Sequence, residues 1–294
     1  MTELQLYQSM WAMEDLPWRG APWTLAEQVA RIAEAGYAGL GVDLGARQAP
    51  AATAIAPMMA ARGLRGCVLV FASCDEDVHE AIRYAKIIDA DWIICCARVF
   101  GFDVTGLTHL LSRWQRMCAD VGIDMQLETH RNTVTNDLRF TCLLLEELDE
   151  SIELAADLSH YVCAHEIPER TEPGYESLVS TVLDRSGSLQ GRIATRAQIQ
   201  VPLGHPMARP WEPRFKNWWT QGFASLLRRH PDRPVRFVTE LGTTPYAITD
   251  FEGRQISDRW AESTTLMRWA ADAFESALDD DQRRHHENWT TDDA

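Results

Sequence analysis

The feature that most constrains the fold is an alternation of apolar strand-like runs with amphipathic helices along all 294 residues. The apolar runs are short and nearly continuous, which is typical of parallel strands covered on both faces. The eight predicted strands span 4–11, 37–44, 64–72, 90–99, 122–129, 152–159, 192–201 and 234–241. Each is followed by a helical pattern, so we predict an α/β protein that is a single (β/α)8 TIM barrel. An open doubly wound sheet is the alternative, because periodicity does not distinguish a closed sheet from an open one.

The barrel is expected to occupy residues 1–279 as one domain, ending in a helix over 258–278. The remaining segment, 280–294, is polar and acid-rich, and we expect it to be a mobile end or an oligomer contact. The apolar helix surfaces leave a homodimer as a possible assembly.

Composition restricts the partners of the chain. Acidic residues outnumber Lys and Arg by 43 to 28, and the net charge is −15 at pH 7. Such a surface repels phosphate backbones, which argues against a nucleic acid partner. The first ten residues lack a basic region and a long apolar stretch, so we expect no secretory leader. No apolar run is long enough to span a membrane, and the seven cysteines lack CxxC spacing. We therefore expect a cytoplasmic protein with reduced thiols that does not bind membranes.

Oxygen-bearing side chains end four successive predicted strands in the second half of the chain. They are Glu128, Asp157, Gln198 and Glu240. In a (β/α)8 barrel the carboxyl ends of the strands meet at one mouth, where active sites lie. Carboxylate and amide oxygens suit divalent cations, so we predict that these four residues bind one metal ion. Mn²⁺ is the preferred ion, and Mg²⁺, Co²⁺ or Zn²⁺ are alternatives.

Histidines follow three of these predicted ligands. His130 and Arg131 come shortly after Glu128, His160 lies three residues after Asp157, and His205 follows Gln198. A single loop histidine is usually structural, but three in equivalent places indicate a shared site at the barrel mouth.

These motifs resemble the xylose isomerase-like barrel superfamily. The resemblance rests on LETH at 127–130, DLSH at 157–160 and VTELG at 238–242, with a proline after the predicted ligand of the seventh strand. That superfamily includes ketose 3-epimerases, hydroxypyruvate isomerases, inosose and dehydroshikimate dehydratases, and endonuclease IV. The resemblance implies one cation on Glu128, Asp157, Gln198 and Glu240, and a substrate-contacting or supporting role for His160. Glutamine at 198 resembles the hydroxypyruvate isomerase branch, although His205 stands where that branch tends to have Arg-His.

The resemblance implies an isomerase or epimerase acting on a sugar or small hydroxy-ketone. The cation would stabilise an enediolate while Glu128 and Glu240 remove and return a proton. The alternative is a dehydratase of a keto-sugar or keto-cyclitol, with His130 or His160 as the acid. Few histidines and the acidic charge argue against a DNA repair enzyme, and a non-catalytic sugar-binding barrel is a further possibility.

Other residues are candidates for substrate binding. We expect Arg131 and His205 to contact a carbohydrate-like substrate, and Trp11 and Arg98 to form part of its wall. Aromatic faces pack on sugar C–H surfaces, and arginine binds carboxylates or hydroxyls.

Overall fold

The computed structural model describes residues 2–291 and confirms a closed (β/α)8 barrel. Eight parallel strands pair in sequence order, and the first pairs with the last from Leu4 opposite Val235 onward. The strands are β1 (Leu4–Ser9), β2 (Gly39–Asp43), β3 (Arg65–Ala72), β4 (Ala90–Ala97), β5 (Asp124–Glu128), β6 (Glu153–Ala156), β7 (Ser186–Gly191) and β8 (Val235–Thr239). Because the sheet closes, the open doubly wound alternative is wrong.

The α-helices follow the strands, and two lie between β6 and β7. They are α1 (Leu25–Glu34), α2 (Ala52–Ala60), α3 (Asp75–Ile87), α4 (Val104–Ala119), α5 (Leu138–Glu147), α6 (Leu158–Ala164), α7 (Pro173–Asp184), α8 (Glu212–Arg229) and α9 (Arg259–Thr291). Helix α1 begins with a capping box, in which Thr24 accepts from the Glu27 amide and Glu27 accepts from the Thr24 amide.

The main hydrophobic core fills the layer between the sheet and the helices, and a smaller cluster fills the barrel. The interior cluster consists of Tyr7, Cys67, Leu69, Trp92, Ile94, Ala155 and Val238. Below it, the guanidinium of Arg236 lies 4.9 Å from the Trp92 ring centroid and pairs with Asp91 and Asp124. This packing fills the barrel below its carboxyl-terminal mouth.

The prediction for the seventh strand was wrong. The strand is Ser186–Gly191, whereas most of the predicted range 192–201 is a loop across the barrel mouth. Crowding explains Gly187 of β7, since a Cβ added there would lie 2.5 Å from the Gln126 and Glu153 side chains. The loop looks strand-like because residues such as Ile193 and Val201 are buried and their backbones bond to each other.

Two further boundaries differ from prediction. The expected sixth strand ends early because Asp157 caps helix α6, its Oδ1 accepting from the Ser159 amide at 2.9 Å. Helix α9 continues to Thr291, so most of the expected tail 280–294 extends the last helix, and 292–294 lie outside the described residues.

Across the part of the chain that the structure describes, no helix is long and apolar enough to cross a membrane.

Candidate active site

Three carboxylates meet inside the barrel mouth. Glu128 ends β5, Asp157 follows β6, and Glu240 follows β8. One oxygen from each lies within 4.8 Å of the others, and all three residues are buried. The predicted convergence of these three strand ends is therefore present in the structure.

The electrostatics of this cluster are unfavourable without a cation. Burial, followed by the charges of Glu240 and Asp157, raises the pKa of Glu128 well above its ordinary value. Burial also raises the pKa of Glu240 to about 7, although the Arg192 guanidinium opposes this shift. Carboxylates that share a dry site repel one another, so the cluster favours either protonation or a bound cation.

Arg192, which sequence reasoning missed, lies directly above the carboxylates. Its Nη2 is 3.0 Å from Glu240 Oε2 and 3.5 Å from Asp157 Oδ2, and its Nε donates to the Glu240 carbonyl at 2.9 Å. The guanidinium also lies over the rings of Trp11 and Tyr246, 5.6 and 5.0 Å from their centroids. These contacts hold a buried positive charge in one position at the cavity floor.

The structure does not bring Gln198 to the carboxylates. Because β7 ends before it, Gln198 lies in the following loop, and its Oε1 accepts from the Thr195 hydroxyl at 2.8 Å. Gln190 is the amide that β7 directs into the barrel. Ala156 pairs with Leu189, which places Gln190 beside Asp157 at the next position.

Gln190 has the surroundings expected of a ligand. It is 1% exposed, and its contact with the Glu128 carboxylate opposes, without cancelling, the rise that burial causes in the pKa of Glu128. Neither its Oε1 nor its Nε2 forms a well-aligned hydrogen bond with any of residues 2–291. A buried amide usually satisfies its polar atoms, so an unpaired amide beside three carboxylates points to a missing partner.

The donor set fits a divalent cation. Three buried carboxylates face one nearby arginine, and the Oδ2 atom of Asp157 also has no well-formed hydrogen bond within the described part of the chain. A dication would balance the two remaining negative charges and supply the partner that the amide lacks. Glu128, Asp157, Gln190 and Glu240 are therefore the residues that could hold a metal here.

His130 and His160 lie beside this cluster, as the sequence predicted. Their ring centroids are 3.9 Å apart, and one nitrogen from each lies within 4.8 Å of a Glu128 oxygen. Burial lowers the pKa of His130 to about 4 and that of His160 well below its ordinary value. Both imidazoles are consequently neutral at physiological pH.

A cavity of about 380 Å³ opens above Glu128, Arg192 and Glu240. Its walls include Trp11, as expected, together with Asp43, Phe71 and Tyr246. Trp11 packs edge-on against Tyr246 with ring centroids 5.0 Å apart, directly over Gly242. A Cβ on Gly242 would lie 1.9 Å from the Trp11 ring, so this wall requires glycine.

Arg259, at the start of α9, fixes the loops behind this wall. It is 1% exposed and donates to the carbonyl oxygens of Ala12, Glu14 and Leu241. The loops after β1 and β8 are thus joined through one guanidinium.

The other residues predicted to bind substrate differ in whether they reach the cavity. The Nη2 atom of Arg131 is 3.3 Å from the Tyr246 hydroxyl at the edge of the cavity. His205 lies in the β7–α8 loop and accepts from the Met207 amide, while Arg98 is exposed after β4. Only Trp11 and Arg131 of this group are therefore shown in contact with residues that line the cavity.

Cys96 is a further residue that sequence reasoning missed as part of the site. It lies near the end of β4, and its thiol donates to Glu128 Oε2 at 3.2 Å. Burial raises the pKa of this thiol well above its ordinary value, so it remains a donor. The period of two along β4 could have indicated that Cys96 faces inward.

Comparisons with known proteins support the fold. No protein-family model matches the sequence, and no curated protein matches it significantly. The structure is similar to D-allulose 3-epimerase from Methylomonas sp., with 16% identity, a TM-score of 0.57, and coverage of 97% of this chain and 99% of that one.

Two other solved structures show the same similarity. A xylose isomerase-like TIM barrel protein from Mycobacterium smegmatis, in complex with magnesium, has 12% identity and a TM-score of 0.58 over 93% of this chain and 100% of that one. The probable 3-DHS dehydratase AsbF from Bacillus anthracis has 13% identity and a TM-score of 0.55 over 90% and 99%. The chain therefore has the fold of the xylose isomerase-like TIM barrels.

Proposed function

We propose that the protein is a divalent-metal-dependent isomerase or epimerase acting on a sugar or small hydroxy-ketone. The observation that supports this best is the pair Glu128 and Glu240 at the cavity floor. They come from strands β5 and β8, and burial raises the pKa of both carboxyl groups. Carboxyl groups with a raised pKa accept and return protons near neutral pH more readily than ordinary glutamates.

In this proposal Glu128, Asp157, Gln190 and Glu240 hold the cation. When bound, a divalent ion would polarise the carbonyl of the substrate and thereby acidify the neighbouring C–H bond. Gln190 replaces Gln198 as the fourth ligand because it alone of the two lies beside Asp157 and Glu128.

The side chains of the cavity would then carry the proton transfers. One glutamate removes a proton from the carbon next to the carbonyl, giving an enediolate, and the other returns a proton to the same or the adjacent carbon. Arg192 is held by Glu240 and the Trp11 and Tyr246 rings, so it can stabilise negative charge without reorganising. The aromatic rings provide apolar surface for the carbon skeleton of the substrate.

The neutral state of the histidines suits a positioning role. His130 lines the cavity, and with a pKa of about 4 it can accept or donate a hydrogen bond but is a poor cationic acid. We therefore assign proton transfer to the two glutamates and substrate contacts to His130, Arg131 and Trp11.

A metal-dependent dehydratase is the second candidate. Burial raises the pKa of Glu240 in the metal-free protein, and a proton taken up by this carboxyl group could be given to a departing hydroxyl. Two of the structural neighbours represent the two chemistries, since one is a 3-epimerase and the other a probable dehydratase.

A solvent-exchange experiment distinguishes the candidates. Metal-loaded protein is incubated in D₂O with ketoses, inososes, 3-dehydroshikimate and hydroxypyruvate, and the products are followed by NMR and mass spectrometry. Deuterium on a substrate carbon without water loss supports the isomerase, and a dehydrated product supports the lyase. Both activities should disappear with a chelator and fall at least about 100-fold in Glu128→Gln and Glu240→Gln.

Glu166→Gln is the matched control, because Glu166 is exposed and pairs only with Arg196 among the described residues. Full turnover by the two active-site variants would contradict the proposal. A homodimer, a cytoplasmic location and the absence of nucleic acid binding remain predictions from the sequence.

A further inference from the structure

Cys96 lies on the inward face of β4, beside the floor of the candidate active site. Ile94, two residues before it, belongs to the interior cluster, and side chains two apart on a strand share a face. Cys95 pairs in register with Leu127, so Cys96 stands beside Glu128 on the neighbouring strand β5. Cys96 is 1% exposed, so its thiol must find its hydrogen-bond partner within the protein.

The thiol makes the one well-formed hydrogen bond that the Glu128 carboxylate receives within residues 2–291. The Sγ atom of Cys96 lies 3.2 Å from Glu128 Oε2. Gln190 also contacts this carboxylate, but its amide is not well aligned. Cys96 does not belong to the group of three carboxylates that could hold a metal. The thiol is therefore a supporting partner of Glu128.

A hydrogen bond to one oxygen limits how a glutamate carboxylate can turn. The torsion next to a carboxylate is broad, so an unsupported Glu128 would present its oxygens in many directions. A donor on Oε2 fixes the plane of the carboxylate and the directions of its lone pairs. A thiol is a weak donor, so it orients the group without stabilising its negative charge as strongly as a hydroxyl would. Cysteine thus suits a carboxylate that must accept a proton.

We propose that Cys96 is a positioning residue, whose thiol fixes the plane of the Glu128 carboxylate and so the direction of its basic lone pair. The inference rests on the proposed function, in which Glu128 exchanges a proton with the substrate. Proton transfer requires a base within hydrogen-bond reach and correctly oriented, and a small misplacement can lower turnover about 100-fold. Cys96 should therefore affect the chemical step and have little effect on substrate binding.

The alternative is that Cys96 only fills space, as buried cysteines often do. Two variants separate the roles, because Cys96→Ser keeps a donor at this position and Cys96→Ala removes it, while both remove the volume of the sulfur. Cys95 provides the matched control, since it is the adjacent residue, is fully buried and packs in the main core on the other face of β4. Space filling alone predicts equal activity in the serine and alanine variants.

Steady-state kinetics test the role with a ketose, inosose, 3-dehydroshikimate or hydroxypyruvate that the metal-loaded parent converts. We expect kcat to fall about 10- to 100-fold in Cys96→Ala while KM changes less than about twofold, and to stay within about threefold of the parent in Cys96→Ser. Cys95→Ala should keep the parent kcat. A parent-like kcat in Cys96→Ala, or an equal loss in Cys96→Ser, would overturn the positioning role.

Infrared spectroscopy tests the contact without substrate. The S–H stretching band of each cysteine is obtained at saturating Mn²⁺ by subtracting the spectrum of its alanine variant. The Cys96 band should lie at lower frequency than the Cys95 band, because a hydrogen bond to a charged acceptor is stronger. Glu128→Gln should raise the frequency of the Cys96 band and leave the Cys95 band in place. A Cys96 band that does not move in Glu128→Gln would contradict the proposal.

Mn²⁺ binding separates a failure of this inference from a failure of the proposed function. Calorimetry should show Mn²⁺ binding about tenfold weaker in Cys96→Ala, restored in Cys96→Ser and unchanged in Cys95→Ala, because a residue that holds a metal ligand in place affects metal affinity. If the parent converts none of the substrates, the proposed reaction fails. That binding pattern would still support the positioning of Glu128, and unchanged Mn²⁺ binding in Cys96→Ala would then overturn it as well.

Discussion

Replacing Arg192 with methionine should destabilise the metal-free protein strongly. Methionine keeps much of the side-chain volume but removes the charge that faces Asp157 and Glu240. The exposed fractions are 2% for Arg192, 0% for Asp157 and 6% for Glu240, so water cannot replace the lost partner. Removing one member of such a buried ion pair costs about 3–5 kcal/mol.

A bound cation should reverse part of this loss. Arg192 and a dication compete for the same carboxylate oxygens, so the variant should bind Mn²⁺ more tightly than the parent. At about 100 times the dissociation constant, a ligand stabilises the folded state by about 2.7 kcal/mol. Saturating Mn²⁺ should therefore stabilise the variant by more than it stabilises the parent.

The assay is urea unfolding followed by circular dichroism, with chelator and with Mn²⁺. Arg196→Met is the control, because Arg196 and Glu166 are exposed by 51% and 73% and such pairs contribute about 0–1 kcal/mol. If chelator-treated Arg192→Met lost no more stability than Arg196→Met, the reasoning about the buried charge would be refuted. An equal gain from Mn²⁺ in both proteins would refute the competition argument.

Three further outcomes are expected. Gln190→Ala should weaken Mn²⁺ binding about tenfold or more in calorimetry while Gln198→Ala leaves it unchanged, and the opposite ranking would restore Gln198 as the ligand. Burial raises the pKa of Glu153, but the charge of Arg233 and hydrogen bonds from Arg233 and Arg229 outweigh this and lower it. The parent should thus exceed Glu153→Gln in stability by about 1–3 kcal/mol at pH 7. That advantage should vanish as the pH falls below the unfolded pKa of about 4.3 and through the lower folded value, and an advantage persisting at pH 2 would contradict this assignment. Gly242→Ala should displace Trp11, changing its fluorescence and lowering turnover about tenfold, whereas Gly101→Ala, with no atom within 4 Å of the added Cβ, should do neither.

The barrel and three of its four central oxygen donors could be predicted from sequence because their signals are local. Glu128 and Glu240 each come at the end of an apolar run that is a strand. Asp157 stands directly between strand β6 and helix α6. The same rule failed at β7, where Ser, Gly and Ser replace the apolar run. At Gly187 a side chain has no room, because Gln126 and Glu153 on other strands lie against that position.

Because the predicted range of β7 was wrong, the predicted ligand Gln198 belongs to the loop after the true strand. Gln190 and Arg192 both lie at the true strand end, two residues apart and thus on one face. Gln190 precedes the expected strand 192–201, and Arg192 is its first residue. The loop over 192–201, where the Val201 amide donates to the Ile193 carbonyl, carries buried apolar residues that single-sequence reasoning cannot separate from a strand. Cys96 was missed because its importance lies in a contact with Glu128 on the neighbouring strand β5.

The hydrogen bonds of Arg259 imply that the loops behind the Trp11–Tyr246 wall form late in folding. They join residue 259 to Ala12 and Glu14, positions separated by 247 and 245 residues along the chain. Contacts of such long range form slowly, since the loop entropy must be overcome before they contribute. We therefore expect a chain that ends before α9 to lack a finished mouth.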